Sequence, residues 1–139
     1  MLAMAARGTA SGSTAVVVGV LLVCAFLHAG VAESAEFTVG DGGGWSVNAG
    51  SWPNGKRFKG RDVLVFNYDP TAHDVVAVSA EGYRACAAPS GAKVYKSGAD
   101  RVTLALGPNY FISSVPGDCQ AGMKITVTAA KQGRIGGAS

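Results

Sequence analysis

A chain of 139 residues that is 48% hydrophobic and only 15% charged can bury enough apolar surface to fold as one domain, which excludes disorder over most of its length. Its formal charge of +3 falls well short of the dense basic stripe of a nucleic-acid binder. Only one stretch is apolar enough to face lipid, which excludes a polytopic membrane protein. That stretch comes first. Arg7 is the sole charge before Glu33, and Ala15 to Leu27 is an unbroken apolar run of 13 residues followed by small residues at Ala29, Gly30 and Ala32. Positive, apolar, then small is the order of a secretory signal peptide, and the run is short for a span of about 20 residues. Cleavage is expected between Ala32 and Ala35, with an uncleaved anchor as the alternative. Residues 1–35 are thus assigned to the signal, 36–130 to the folded domain and 131–139 to a flexible polar tail. Cleavage after Ala35 removes one base and one acid together, so the mature chain keeps a charge of +3, and it discards Cys24 and His28.

The mature chain reads as all β. Short alternating or doubly apolar runs separated by turn residues predict strands at Glu36–Val39, Asp62–Tyr68, His73–Ser79, Arg101–Leu106, Asn109–Val115 and Met123–Thr128. Asp69-Pro70 is a turn signal, and Asp41–Gly44 and Gly91-Ala92 read as loops. Val102, Leu104 and Leu106 are expected to point inward, as are Met123, Ile125 and Val127. No window of helical length shows a strong 3.6-residue period. Strands at this spacing suggest a sandwich or barrel.

Export also changes how the cysteines read. Cys86 and Cys119 travel an oxidising route, where two thiols of a small secreted domain normally pair, and only one intramolecular bridge is possible between them. No Asn-x-Ser/Thr triplet occurs, and the tail Lys131 to Ser139 lacks the hydrophobic segment of a lipid-anchor signal. A soluble extracellular monomer is expected.

Four segments together resemble the plantacyanins, the small basic phytocyanins also called basic blue proteins and chemocyanins. They are Phe37-Thr38-Val39-Gly40 with Gly43-Gly44-Trp45; Ser51-Trp52-Pro53-Asn54-Gly55-Lys56; Phe66-Asn67-Tyr68-Asp69-Pro70 leading to His73; and Tyr110-Phe111-Ile112 through Pro116-Gly117 to Cys119-Gln120 and Gly122-Met123-Lys124-Ile125. The resemblance runs from about Glu36 to Ala130. It implies a cupredoxin fold, a Greek-key β-sandwich of two sheets, with a disulfide at Cys86 and Cys119. It also implies a type 1 copper site of two His, one Cys and one Met that carries single electrons, because a soft thiolate and imidazoles suit both copper oxidation states.

Carried over position by position, that ligand set falls on His73, Ser113, Asp118 and Met123. The family spacing Cys-x4-His-x4-Met is intact, but serine stands for the cysteine and aspartate for the second histidine. A serine hydroxyl is a hard, neutral oxygen and does not replace a thiolate. The asparagine that usually follows the first histidine is Asp74, which accepts hydrogen bonds but donates none when ionised. Three changes in one pocket point to a degenerate copper site, so no cofactor is expected, with copper implied by the resemblance alone.

The same residues allow other readings. Asp74 and Asp118 are placed to pair with the His73 ring. Ser113, His73 and either aspartate have the letters of a hydrolytic triad, but no nucleophile-elbow motif accompanies them, and no enzyme is expected. Met123 fits core or pocket lining, and Trp45 and Trp52 fit core packing better than ligand stacking. Lys56, Arg57, Lys59 and Arg61 cluster around Phe58, with Lys93, Lys96 and Arg101 in a looser group. Either group offers contact with an anionic partner such as an acidic cell-wall polysaccharide, or is simply a solvated surface. The expected role is an extracellular binding or signalling module, of the cell-wall or pollen–pistil type by analogy with the chemocyanin branch. The alternative is a copper electron carrier.

Overall fold

The computed structural model describes residues 34–132. Residues 1–33, which hold Cys24 and His28 of the expected signal, and residues 133–139 lie outside the described residues.

Eight strands form two sheets. The first holds β1 (Glu36–Thr38), β3 (Val63–Asn67) and β6 (Ala99–Thr103), in the order β1-β3-β6. The second holds β2 (Phe58–Lys59), β4 (Val75–Val78), β5 (Val94–Tyr95), β7 (Gly107–Ile112) and β8 (Lys124–Ala130), in the order β2-β8-β7-β4-β5. Most neighbours are antiparallel. The exceptions are β1 on β3, with Phe37 opposite Leu64, and β2 on β8, with Phe58 opposite Ala129. One core draws on both sheets. Leu64, Phe66 and Val102 come from the first, and Val75, Phe111, Ile125 and Val127 from the second, joined by Trp45, Trp52 and Met123. Alternation is clean along β8, where Ile125, Val127 and Ala129 are buried while Thr126, Thr128 and Ala130 face solvent. That period of two is what a sheet with one wet face requires.

Aromatic rings fill the interior. Trp45 meets Phe66 edge-on at 5.1 Å between centroids, and Phe66 meets Phe111 at 5.2 Å. Both tryptophans are buried, as expected. Gly44, at φ 69°, is needed where it stands, since a Cβ there would lie 2.6 Å from the Asn67 carbonyl oxygen. Trp45 N–H donates to that same oxygen at 2.9 Å, so the close approach sets the indole into the core.

A smaller cluster of Val76, Ile112 and Cys119 is covered by Val78, Tyr83, Cys86 and Ala92. Tyr83 belongs to a six-residue helix, α1 (Ala80–Ala85), capped by the Ser79 hydroxyl accepting from Gly82 N–H at 3.1 Å. Cys86 ends the helix in the left-handed region at φ 53° and joins Cys119, with Cα atoms 5.6 Å apart. The bridge thereby fastens the helix to the loop that carries Asp118.

Three expectations need correction. Leu106 does not point inward: β6 ends at Thr103, and Leu106 is 64% exposed while Val102 and Leu104 are buried. The helix is absent from the predicted elements because six residues make too short a window for a helical period. The two-residue strands β2 and β5 were not predicted either, being defined by their pairing with β8 and β4 rather than by local pattern.

Candidate functional site

His73, Asp74, Ser113 and Asp118 converge where the turn before β4 meets the loop between β7 and β8. The turn is built by Asp69. Its backbone carbonyl accepts from His73 N–H at 3.0 Å, and its carboxylate accepts from Thr71 N–H at 2.9 Å and Thr71 Oγ1 at 2.7 Å. Those Thr71 hydrogen bonds hold the Asp69 carboxyl below its ordinary range, with a lesser contribution from His73. The facing loop is closed by the backbone of Met123, whose N–H donates to Asp118 O at 2.9 Å and whose carbonyl accepts from Ser113 N–H at 3.1 Å. Met123 itself is fully buried in the main core. The intact five-residue spacing is thus a backbone clasp as well as a side-chain pattern.

Within this frame Asp118 is the hub. Its Oδ2 lies 2.7 Å from His73 Nδ1 and accepts from Ser113 Oγ at 2.7 Å. The order is serine to aspartate to histidine. A hydrolytic triad needs the histidine in the middle, taking the serine proton as general base. Here the hydroxyl donates to the carboxylate instead, so the geometry does not build an activated nucleophile.

Asp74 is engaged elsewhere. Its side chain is 4% exposed, and it accepts from Ser114 N–H at 2.7 Å and Ser114 Oγ at 2.6 Å, with Ser113 Oγ at a longer 3.4 Å. Its backbone carbonyl accepts from the Trp45 indole N–H at 2.8 Å. The expected partnership of both aspartates with His73 therefore holds for Asp118 alone, while Asp74 ties the two loops together. Ser114 was not singled out in the sequence; its place next to Ser113 was the only signal.

Does this donor set suit type 1 copper? Such a site requires a thiolate in a trigonal His2Cys arrangement with a weak axial thioether. The two described cysteines are bonded to each other, with S–S at 2.06 Å. At the other positions stand one imidazole, one carboxylate, one neutral hydroxyl and one thioether, and three of these already satisfy each other by hydrogen bonds. The residues present do not fit that group.

The basic residues are distributed unevenly. Lys56 Nζ donates to Trp52 O at 3.0 Å and lies 5.0 Å from the Trp52 ring centroid, so it is partly committed to the fold. Arg57, Lys59 and Arg61 are exposed. Among the described residues, none of those three forms an ion pair. In the looser group, Arg101 pairs with Glu36, whose carboxyl is held below its ordinary range by that hydrogen bond, and Lys93 lies over the Tyr95 ring.

Comparison with known proteins agrees with this architecture. The plastocyanin-like domain family matches residues 45–123. A chemocyanin of Lilium longiflorum is 55% identical over 125 residues, covering 90% of this chain and 99% of that protein. A basic blue protein of Arabidopsis thaliana is 48% identical over 88% of this chain and 96% of its own length. The solved structure of cucumber basic protein, a blue copper protein, superposes with a TM-score of 0.67 at 53% identity, covering 68% of this chain and 99% of that one. Matched over nearly the whole length of these relatives and superposing on a solved one, the chain belongs to the plantacyanin group of the phytocyanins, within the cupredoxin fold.

Proposed function

We propose that this chain is a secreted plantacyanin-type protein that has given up type 1 copper and works as an extracellular binding or signalling module. The observation that carries this reading is the hydrogen-bonded chain from Ser113 through Asp118 to His73. It occupies the positions where the resemblance puts copper ligands, and it supplies no thiolate. Fold and function separate readily in this way, because function resides in the site. An export signal cleaved between Ala32 and Ala35 precedes the domain, and the Cys86–Cys119 bridge suits an oxidising compartment. No described helix is long and apolar enough to cross a membrane. Arg57, Lys59 and Arg61 provide the contact for an acidic partner, of which a polymer of sugar acids in a cell wall is the simplest example. Such binding weakens with salt, since exposed charges are screened within about 8 Å at physiological ionic strength.

A second reading, single-electron transfer through copper, is favoured by the family itself, whose relatives include proteins named for blue copper. A copper titration of the mature, oxidised protein separates the two. Under the first reading the parent shows no blue absorption, and a Ser113→Cys plus Asp118→His variant acquires it. A blue band in the parent overturns this reading and restores the carrier.

A further inference from the structure

Three segments distant in sequence meet at the edge formed by β2 and β8. They are the turn Gly60–Arg61, the stretch from Leu104 to Leu106, and Lys131–Gln132, and they line a solvent-open groove of about 230 Å³. Hydrogen bonds hold the walls together. Gly60 N–H donates to Ala130 O at 2.9 Å, Gln132 Nε2 donates to Gly60 O at 3.0 Å, and Arg61 N–H donates to Leu104 O at 3.0 Å.

We propose that this pocket binds a small carboxylate with an apolar body, at the size of an aryl acid. The floor is aliphatic, formed by Leu104 and by Leu106, the most exposed of the large described hydrophobics. The rim carries Arg61 and Lys131, neither in an ion pair among the described residues. The adjacent acid forms no ion pair with either among the described residues. Asp62 is buried and turned to the backbone, accepting from Ala35 N–H at 2.9 Å and Lys59 N–H at 2.8 Å. Arg61 also sits at φ 77°, a left-handed conformation that glycine adopts with far less strain. Backbone strain of this kind concentrates at ligand sites. Two cations over an aliphatic floor complement a ligand with an anionic head and an apolar body. The volume falls just under the roughly 300–1,000 Å³ of drug-sized sites, which sets the ligand's scale. The pocket shares Arg61 with the contact for an acidic polymer, but a sugar acid has no apolar body to cover Leu104 and Leu106, so Leu106 distinguishes the two.

The test is an amide chemical-shift titration of the mature protein with trans-cinnamate, with cinnamyl alcohol and acetate as controls. Saturable shifts are expected at Gly60, Arg61, Leu106 and Gln132, with both controls binding at least tenfold more weakly. Arg61→Gly is expected to weaken cinnamate at least tenfold while leaving the melting temperature unchanged or higher. Leu106→Ser is expected to weaken it comparably and to leave polygalacturonate binding intact, whereas Lys96→Gln leaves cinnamate binding unchanged. The proposal is overturned by shifts that do not saturate, by equal binding of the alcohol, or by equal loss in Lys96→Gln. It is also overturned if binding appears only in a chain ending at Gln132, which would make residues 133–139 the occupant.

Discussion

Replacing Asp74 with alanine removes the acceptor that joins the turn before β4 to the loop after β7. The carboxylate takes two short bonds, from Ser114 N–H at 2.7 Å and Ser114 Oγ at 2.6 Å; the 3.4 Å contact from Ser113 contributes little. A hydrogen bond to a charged group is worth about 1.5–3 kcal/mol. Ser114 is exposed, so its hydroxyl can turn to water, whereas its backbone N–H is partly buried and loses its partner. Against this loss stands relief from burying a charge. The net destabilisation comes to about 2–3 kcal/mol, which lowers the melting temperature of a domain this size by about 10–20 °C. Asp74→Asn keeps an acceptor for the N–H and lets the Ser114 hydroxyl rotate to accept from the new amide, so its effect stays within about 1 kcal/mol. Urea unfolding of the oxidised protein, followed by far-ultraviolet circular dichroism, measures both variants. Equal stability of Asp74→Ala and the parent would refute the role of this aspartate as the tie between the loops.

Other parts of the molecule carry their own tests. The Cys86–Cys119 bridge spans a sequence separation of 33, for which loop-closure entropy gives about 3.7 kcal/mol, so a Cys86→Ala plus Cys119→Ala variant should lose that much in denaturant unfolding. Leu104→Ala should cost about 2–4 kcal/mol and Leu106→Ala under about 0.5 kcal/mol, because only the first is buried. Burial, then the hydrogen bond to Asp100, pushes the Tyr68 hydroxyl up to about 12. The folded state therefore holds that proton where the unfolded chain releases it. The associated stability is full below about pH 10 and declines as pH rises towards 12, a decline that Tyr68→Phe should remove from pH-dependent melting curves.

The sheets were legible where the amino-acid pattern is local. Val102 and Leu104, and the alternation from Met123 to Val127, announce their inward faces because one side of each strand is dry. Leu106 broke the pattern because Gly107, at φ 91°, redirects the chain at the start of β7 after β6 has ended. Alternation carries no information past a strand's last residue. The helix, at six residues, was too short to leave a period, and β2 and β5 are defined by partners distant in sequence. At the site, the resemblance placed both Asp74 and Asp118 near His73, and the structure pairs the ring with Asp118. The turning of Asp74 towards Ser114 was not legible, since nothing in the sequence says which of two aspartates an imidazole will meet. Likewise Lys56 belonged to a basic cluster on paper, but Trp52 holds it.

The parallel pairing of β2 with β8 has a bearing on kinetics. Phe58 pairs with Ala129, and Gly60 N–H donates to Ala130 O, so each waits for a partner about 70 residues later. Chains rich in pairings of that span fold on the millisecond-to-second scale. During synthesis the edge carrying Gly60 and Arg61 therefore stays open until the final strand has emerged. A nascent chain arrested before Ala129 would lack the partners of this edge, and the pocket there comes into being only once Lys131 and Gln132 have joined it.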